Sequence, residues 1–130
     1  MPAYLTPKEA RAAGIDVPAR SKYHNQKTEY AGHIFHSKAE AQRYMWLKAE
    51  QEAGRIHDLT CQPRFKLQDA FRHNGKTVQA IFYIADFMYI RDNRYVVEDV
   101  KGTRTTEYKI KHKLFLAKYR DKYEFVEIKT

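Results

Sequence analysis

The apolar positions of this chain change their spacing along the sequence, and each spacing predicts a different element. From about Lys38 to Ala53 they recur every three to four residues, which is typical of a helix with one buried face. Ser37 stands at the N-cap position, Glu40 follows three residues later, and Gly54 comes after the last turn. We therefore predict a helix here, with Glu40 at the border of its buried side.

After this helix the spacing falls to two residues, which predicts a three-stranded β-meander. The strands are expected at about Gln62–Phe71, Val78–Ile90 and Arg94–Lys101, with Asn74-Gly75 as the hairpin turn between the first two. Both faces of the second strand are apolar, as in a central strand that is covered on each side. Asp86 is the only charged residue in that strand.

A second helix is predicted from about Thr105 to Arg120, with Ile110, Leu114 and Ala117 on its buried stripe. Three aromatic residues broaden that stripe: Tyr108, Phe115 and Tyr119. The segment Tyr123–Ile128 alternates as a last strand. The order of helix, meander, helix and strand predicts an α+β fold, an α/β sandwich.

Residues 1–30 are predicted to form an N-terminal arm ahead of a single folded domain of residues 31–130. The arm holds a short helix capped by Thr6-Pro7-Lys8-Glu9, and then a polar basic stretch from Ala19 to Thr28. No apolar run approaches the roughly 20 residues that span a bilayer. Cys61 is the only cysteine, which excludes an internal disulfide and a multi-cysteine zinc site. We expect a soluble, cytoplasmic protein with no membrane partner.

The chain carries a net charge of +8 and has a pI near 9.5, which suggests a polyanionic partner and nucleic acid first. An inert basic surface is the alternative. Four residues after the third strand are candidates for contacts with DNA phosphates: Arg104, Lys109, Lys113 and Lys118. Lys109 and Lys113 lie one helical turn apart, so they share a face. Such contacts give salt-dependent affinity without reading bases.

A pair of carboxylates in the meander is the strongest indication of chemistry. If Asp92-Asn93 forms a two-residue hairpin loop, Arg91 pairs with Arg94. The same register places Asp86 directly opposite Asp99, whereas a three-residue loop would break this pairing. Like charges in opposed positions repel each other. We therefore predict a cation between the two acids.

The space between opposed strand residues suits a metal ion. Their Cβ atoms lie roughly 4.5–5.5 Å apart, which leaves room for one hard divalent ion such as Mg²⁺ between the carboxylate oxygens. Lys101 falls on the same face as Asp99, where it could reach an attacking water or a phosphate oxygen, and Glu98 falls on the opposite face. A simple ion pair of Asp99 with Lys101 is the alternative, but it leaves Asp86 unexplained.

This arrangement resembles the PD-(D/E)XK phosphodiesterase superfamily of restriction and repair nucleases, and more narrowly small phage and prophage proteins of unassigned function. The resemblance implies a restriction-endonuclease-like core of helix, three-stranded meander, helix and strand, and these elements are predicted in this order from about Gly32 to Lys129. Four stretches carry it: Thr28-Glu29-Tyr30, Ser37-Lys38-Ala39-Glu40-Ala41, Tyr83-Ile84-Ala85-Asp86-Phe87 and Val97-Glu98-Asp99-Val100-Lys101-Gly102.

The resemblance implies a role for each matching residue. Asp86 and Asp99 match the family's metal-binding acids, and Lys101 matches its motif lysine. Val100 holds the position whose main-chain carbonyl binds metal in many members, and Glu40 matches a glutamate of the first helix. The implied cofactor is one or two Mg²⁺ ions, with Mn²⁺ expected to substitute. Glu40 also fits a capping box that has no catalytic role.

Taken together, the resemblance implies a Mg²⁺-dependent endonuclease that hydrolyses phosphodiester bonds, in branched or structured DNA during phage DNA processing. The expected location is the cytoplasm, that of the host if a phage encodes the protein. In one departure from the family pattern, Ala85 stands where a proline usually precedes the first acid. Three alternatives stay open: a non-catalytic nucleic-acid-binding domain of the same fold, an RNA nuclease, and an adaptor protein whose acids are ion-paired. A homodimer is compatible with symmetric cutting of a junction.

Overall fold

A computed structural model describes the backbone of residues 28–30 and all of residues 32–130. The helix predicted at Thr6-Pro7-Lys8-Glu9 lies outside the described residues. By its internal contacts the chain divides into two compact units, Met1–Glu50 and Gln51–Thr130. In chain order the described elements are β1 Thr28–Tyr30, β2 His33–Phe35, α1 Lys38–Glu52, β3 His57–Cys61, β4 Arg64–Gln68, β5 Phe71–His73, β6 Lys76–Val78, β7 Ile81–Ile84, β8 Phe87–Arg91, β9 Arg94–Lys101, α2 Thr106–Tyr119 and β10 Tyr123–Lys129.

Helices and strands are mixed in the described part of the chain, so the α+β prediction is confirmed at the level of fold class. β1 and β2 form a short antiparallel pair that the sequence pattern does not predict, because three residues are too few to show a period. Neither helix of the described residues has the length and apolar character that crossing a membrane requires.

α1 begins where its capping signals place it. Ser37 Oγ accepts the Glu40 N–H at 3.2 Å, and the Glu40 carboxylate accepts the His36 N–H at 3.2 Å. These bonds satisfy N–H groups that a helix start leaves without partners. Gly54 follows the helix with a φ of +79°, a left-handed conformation typical of a helix end. The buried residues of α1 are Glu40, Ala41, Tyr44 and Leu47.

The second unit is built on a four-stranded mixed sheet in the order β10-β9-β8-β3. β10 runs parallel to β9, and the other two pairs are antiparallel. A parallel neighbour requires a long crossover connection, which α2 supplies between β9 and β10. β3 is absent from the predicted strands, because its sequence His57-Asp58-Leu59-Thr60-Cys61 holds few apolar residues. Its pairing with β8 replaces the predicted three-stranded meander.

The predicted long strand at Val78–Ile90 is wrong, because the chain changes sheets at Ala85 and Asp86. β7 pairs with β4 in a separate two-stranded ladder, whereas β8 joins β9 and β3. Asp86 therefore stands at a break between two strands rather than within one central strand. Ile84, just before the break, is 55% exposed, so the segment is not covered on both faces as predicted.

The predicted first strand, Gln62–Phe71, also divides, here into β4 and β5. β5 pairs with β6 across the predicted turn, with His73 opposite Lys76. The turn residues Asn74 and Gly75 have φ values of 49° and 73°, as the common two-residue hairpin loop requires. The turn is confirmed, although the strands on either side of it are shorter than expected.

The β8–β9 hairpin has the predicted two-residue loop. Its residues Asp92-Asn93 have φ values of 50° and 65°, and Arg91 lies opposite Arg94. The ladder continues in this register as far as Phe87 opposite Glu98. The register predicted for the two acids is therefore confirmed up to the pair before them.

α2 buries the aromatic part of the predicted stripe, whereas its aliphatic part is exposed: Ile110, Leu114 and Ala117. Tyr108 and Phe115 are buried instead, and the Phe115 ring centroid lies 5.0 Å from that of Phe65. Large aromatic rings remove more apolar area from water than isoleucine or leucine does, so the aromatic face packs inward.

Asn93 provides a test of the left-handed backbone conformation in the β8–β9 loop. Asn93→Ala should lower the free energy of unfolding by about 1 kcal/mol, because a β-carbon is unfavourable at positive φ and asparagine tolerates this region better than alanine. Asn93→Gly should leave that free energy unchanged or slightly higher. Urea unfolding of the three proteins measures the difference. Equal midpoints for the alanine and glycine variants would contradict the loop geometry.

Candidate active site

Asp86 is fixed beside β9 by two bonds that flank Asp99. The Asp86 N–H donates to the Glu98 carbonyl oxygen at 3.1 Å, and Asp86 Oδ2 accepts the Val100 N–H at 2.6 Å. These bonds bring Asp86 next to Asp99 across the strands, although outside the regular ladder. The Asp86 carboxylate accepts the Val100 N–H in place of a main-chain carbonyl of the neighbouring strand. This bond fixes the position of the Asp86 side chain.

Asp99 is a buried carboxylate, with only 1% of its surface exposed. The Tyr83 hydroxyl donates to Asp99 Oδ2, and Lys101 Nζ lies 3.0 Å from Oδ1. No described group makes a well-aligned hydrogen bond to Oδ1, so the ion pair with Lys101 is its contact. A buried oxygen of this kind carries a cost that a nearby positive charge offsets.

Tyr83 is a site residue that sequence reasoning missed. Burial first, and then the charge and hydrogen bond of Asp99, raise the pKa of Tyr83 far above its ordinary value. The phenol therefore stays protonated and remains a donor. The charge of Asp86 adds to the same shift, so both acids act on this hydroxyl. Regular alternation puts Tyr83 and Asp86 on opposite faces, and the strand break at Asp86 removes that constraint.

Glu98 is also buried, but its side chain lies on the other face of β9. Its side chain is fully buried and accepts a hydrogen bond from the hydroxyl of Tyr89 on β8. Successive residues of a strand point to opposite faces, so Glu98 points away from Asp99. The two neighbouring acids thus have separate tyrosine partners.

Glu40 lies in the first unit, whereas Asp86, Asp99 and Lys101 lie in the second. Its described contact is with the helix start, where the carboxylate accepts the His36 N–H. The capping role that its position predicts is therefore present. A metal-binding role for Glu40 stays a prediction.

The donor set at Asp86 and Asp99 suits a hard divalent cation. Carboxylate and main-chain carbonyl oxygens are the ligands that Mg²⁺ prefers, and the Val100 carbonyl would complete the predicted set. Asp99 Oδ1 is buried without an aligned hydrogen bond, which is the observation that favours a cation here. Among the described residues, no three histidine, cysteine or acidic side chains converge to form a metal site. The second unit would therefore supply two carboxylates and the Val100 carbonyl, and water or phosphate oxygens would supply the remaining ligands.

A further carboxylate, Glu127, is the neighbour of Asp99 in the parallel register of β10 and β9. It accepts hydrogen bonds from Arg104 Nη2 and from the Tyr108 hydroxyl, both at 2.8 Å. Burial would raise the pKa of Glu127, but the hydrogen bonds from Arg104 and Tyr108 outweigh it and lower that pKa. Lys101 Nζ lies 4.6 Å from the Tyr108 ring centroid. Asp99 and the Tyr108 ring therefore both position Lys101.

The predicted phosphate-binding residues differ in how far they are already engaged. Arg104 pairs with Glu127, and Lys118 Nζ donates to the Lys66 carbonyl oxygen at 3.1 Å. Lys109 and Lys113 are exposed one turn apart on α2. These two lysines are therefore the more available pair for an anion.

The comparisons with known proteins identify one family. Residues 20–129 match the model of a family described as "Protein of unknown function (DUF1064)". The chain belongs to this family. No curated protein and no solved structure matches the chain. For this DUF1064 member, function must therefore be argued from the site itself.

His112 is a titratable residue of α2 that packs against Tyr108 and Phe125. Its ring stacks on that of Tyr108 at 5.6 Å and lies 4.4 Å from that of Phe125, and no described group hydrogen-bonds its buried Nε2. Burial lowers the pKa of His112, and the charge of Arg104 lowers it further, whereas the charges of Glu127 and Asp99 oppose the shift. The folded protein therefore favours the neutral ring.

The lowered pKa of His112 makes stability depend on pH. The stability due to the neutral ring is fully present above the ordinary histidine pKa and is lost as the pH falls through it, because the unfolded chain binds the proton more readily. The wild-type protein should therefore lose more stability than His112→Phe between pH 7.5 and 5.5. Urea unfolding of both proteins at each pH measures this. Parallel losses would show that His112 does not titrate as described.

Proposed function

We propose that this DUF1064 protein is a Mg²⁺-dependent DNA endonuclease of the PD-(D/E)XK kind, acting on branched or structured DNA. The observation that carries the proposal is the buried Asp99, held between Tyr83 and Lys101, with Asp86 fixed beside it by the Val100 N–H. In a metal-dependent hydrolytic site, adjacent carboxylates can hold the ion and a cationic side chain can stabilise the charge that develops on the phosphate.

Asp86, Asp99 and the Val100 carbonyl would hold the Mg²⁺, with Mn²⁺ as a substitute and Glu40 as a further candidate ligand. A divalent ion bound there lowers the pKa of a water molecule and polarises the phosphoryl oxygen. The two acids proposed as ligands in the second unit are pre-positioned, Asp86 by a main-chain N–H and Asp99 by a tyrosine hydroxyl. Fixed ligands of this kind avoid the cost of ordering side chains when the ion binds.

Lys101 is proposed to orient the attacking water or to neutralise the charge that develops on the phosphate. Its side chain is 29% exposed, so it reaches both the buried acid and the solvent. The stacking of Nζ on the Tyr108 ring limits the positions that the amine can take. Lys101 is thus held close to its place of action before substrate arrives.

Four basic residues are proposed to bind the phosphate backbone: Arg104, Lys109, Lys113 and Lys118. The order of α1, the β8–β9 hairpin, α2 and the parallel β10 supports a restriction-endonuclease-like core. The preference for branched DNA rests on the resemblance to phage proteins alone, and a homodimer would suit symmetric cutting of a junction. We expect the protein to act in the cytoplasm, that of the host if a phage encodes it.

A second candidate function is nucleic-acid binding without catalysis. Both oxygens of Asp99 already have partners, Tyr83 and Lys101, and the described residues contain no third converging acid. A chain that kept the fold but lost the chemistry could look like this. The same DNA-binding surface would be used in either function. Competition between DNA and RNA for binding would show whether RNA is the substrate instead.

Neighbouring acids on β9 allow a matched test of catalysis. Asp99→Asn should lower the rate of Mg²⁺-dependent nicking of plasmid or junction DNA by more than about a hundredfold, because several kcal/mol of transition-state stabilisation depend on the ion. Glu98→Gln should keep the wild-type rate, since glutamine still accepts a hydrogen bond from Tyr89. Gel analysis of cleavage with Mg²⁺ or Mn²⁺ measures both rates.

The controls separate the two candidate functions. Both variants replace a buried, tyrosine-bonded acid by its amide, so any effect on folding should be comparable in the two and can be checked by circular dichroism. A wild-type protein that shifts DNA on a gel but never cuts it with either ion would exclude the nuclease and favour the binding domain. Equal activity of the Asp99→Asn variant and the wild type would exclude the proposed site.

The exposed lysine pair on α2 should contribute to DNA affinity through phosphates. Replacing Lys109 and Lys113 by alanine should lower the affinity for DNA and reduce the slope of log K against log [salt] by about 2, since each phosphate contact contributes roughly 0.9 to that slope. The control is a double alanine variant of Lys76 and Lys122, which changes the net charge equally. Equal slopes for the two double variants would argue against a contact surface on α2.

A further inference from the structure

The two oxygens of the Asp99 carboxylate have different surroundings. Oδ2 accepts a hydrogen bond from the Tyr83 hydroxyl. Oδ1 has no aligned hydrogen bond from any described group and lies 3.0 Å from Lys101 Nζ. One oxygen is therefore held by a donor of the core, whereas the other faces a side chain that reaches the solvent.

The Tyr83 hydroxyl has little freedom to leave Asp99. The Tyr83 ring is 3% exposed and belongs to the hydrophobic core, and the ring centroids of Phe115 and Tyr108 lie 5.4 and 6.4 Å from its own. Core side chains are close-packed, so a ring surrounded in this way keeps its position. Lys101 is partly exposed and can turn away. An incoming ion can therefore take the place of the lysine at Oδ1 more readily than that of the tyrosine at Oδ2.

Divalent ions differ in how they use a carboxylate. Ca²⁺ takes about six to eight oxygen ligands in a flexible arrangement and often binds both oxygens of one carboxylate. Mg²⁺ is smaller, requires a nearly ideal octahedron and usually keeps several waters, and Mn²⁺ accepts the same octahedral set of oxygens. An acid that offers a single oxygen suits Mg²⁺ and Mn²⁺, and it withholds a ligand that Ca²⁺ could use.

We propose that Tyr83 is a positioning residue that makes the site at Asp99 selective for Mg²⁺ over Ca²⁺, because its hydroxyl keeps Oδ2 occupied and leaves Oδ1 for the ion. This inference rests on the metal site of the proposed function. It gives the core tyrosine a role in the choice of ion, in addition to its part in stabilising a buried charge.

Tyr83→Phe tests this role, because it removes the hydroxyl and keeps the ring in the core. Electron paramagnetic resonance measures the binding of Mn²⁺ to the protein without DNA, and then its displacement by Mg²⁺ or Ca²⁺. The wild-type protein should prefer Mg²⁺ to Ca²⁺. In Tyr83→Phe this preference should fall by about tenfold or more, within the range by which hydrogen-bond partners of a ligand change metal affinity, since Oδ2 becomes available to Ca²⁺.

The matched control is Tyr89→Phe, which removes the hydroxyl of another buried tyrosine, here the donor to Glu98 on the other face of β9. This variant should keep the wild-type preference for Mg²⁺, and urea unfolding compares the stability of the two variants. An unchanged preference in Tyr83→Phe would overturn the proposal. An equal fall in both variants would overturn it too, because it would show a general effect of lost stability.

The wild-type protein alone provides a second test, which holds even if Tyr83→Phe does not fold. Binding of Ca²⁺ as tight as that of Mg²⁺ would overturn the proposal. Since ion binding is measured without DNA, a protein that shows the expected preferences but never cuts DNA would count against the nuclease and leave the role of Tyr83 standing.

Discussion

The burial of the Asp99 charge is the constraint on which the arrangement of the site depends. An ionised carboxylate removed from water costs several kcal/mol unless partners replace its hydration. Here Tyr83 supplies a hydroxyl to one oxygen and Lys101 a positive charge to the other. Because β7 places Tyr83 and β9 places Lys101 around this acid, its solvation ties these two strands together, and Tyr108 of α2 joins them through its contact with Lys101. The site therefore shares Tyr83 and Tyr108 with the hydrophobic core of the second unit.

The break between β7 and β8 follows from this requirement. A continuous strand would point Tyr83 away from the face that carries Asp86 and would leave Asp99 without its donor. The chain instead changes sheets at Ala85 and Asp86, and the Asp86 carboxylate bonds the Val100 N–H that the interrupted ladder exposes. One irregularity thus satisfies a backbone group and aligns two acids.

The sequence predicts the features that short-range rules govern. The Asp92-Asn93 loop and the start of α1 depend on neighbouring residues, so the register and the cap are confirmed. The sheet change at Asp86 depends on pairing with β3 and β4, which no local pattern reveals. The stripe predicted for α2 is buried only in its aromatic part, because its aliphatic and aromatic residues both fit a helical period and only contacts with Phe65 and its neighbours decide between them. Tyr83 is missed for the same long-range reason.

Lys101 connects the stability of the site with its proposed chemistry. Lys101 Nζ lies 3.0 Å from Asp99 Oδ1. A cation that bound this oxygen would stabilise the same negative charge as the lysine does, and the two positive charges would repel each other. The lysine side chain is 29% exposed and its Nζ lies over the Tyr108 ring, so a turn toward the solvent would need no rearrangement of the buried acid. An anionic phosphate at that place would favour the turned position by direct attraction. The residue that balances the buried acid in the free protein is thus suited to bind the substrate once another positive charge takes over that role.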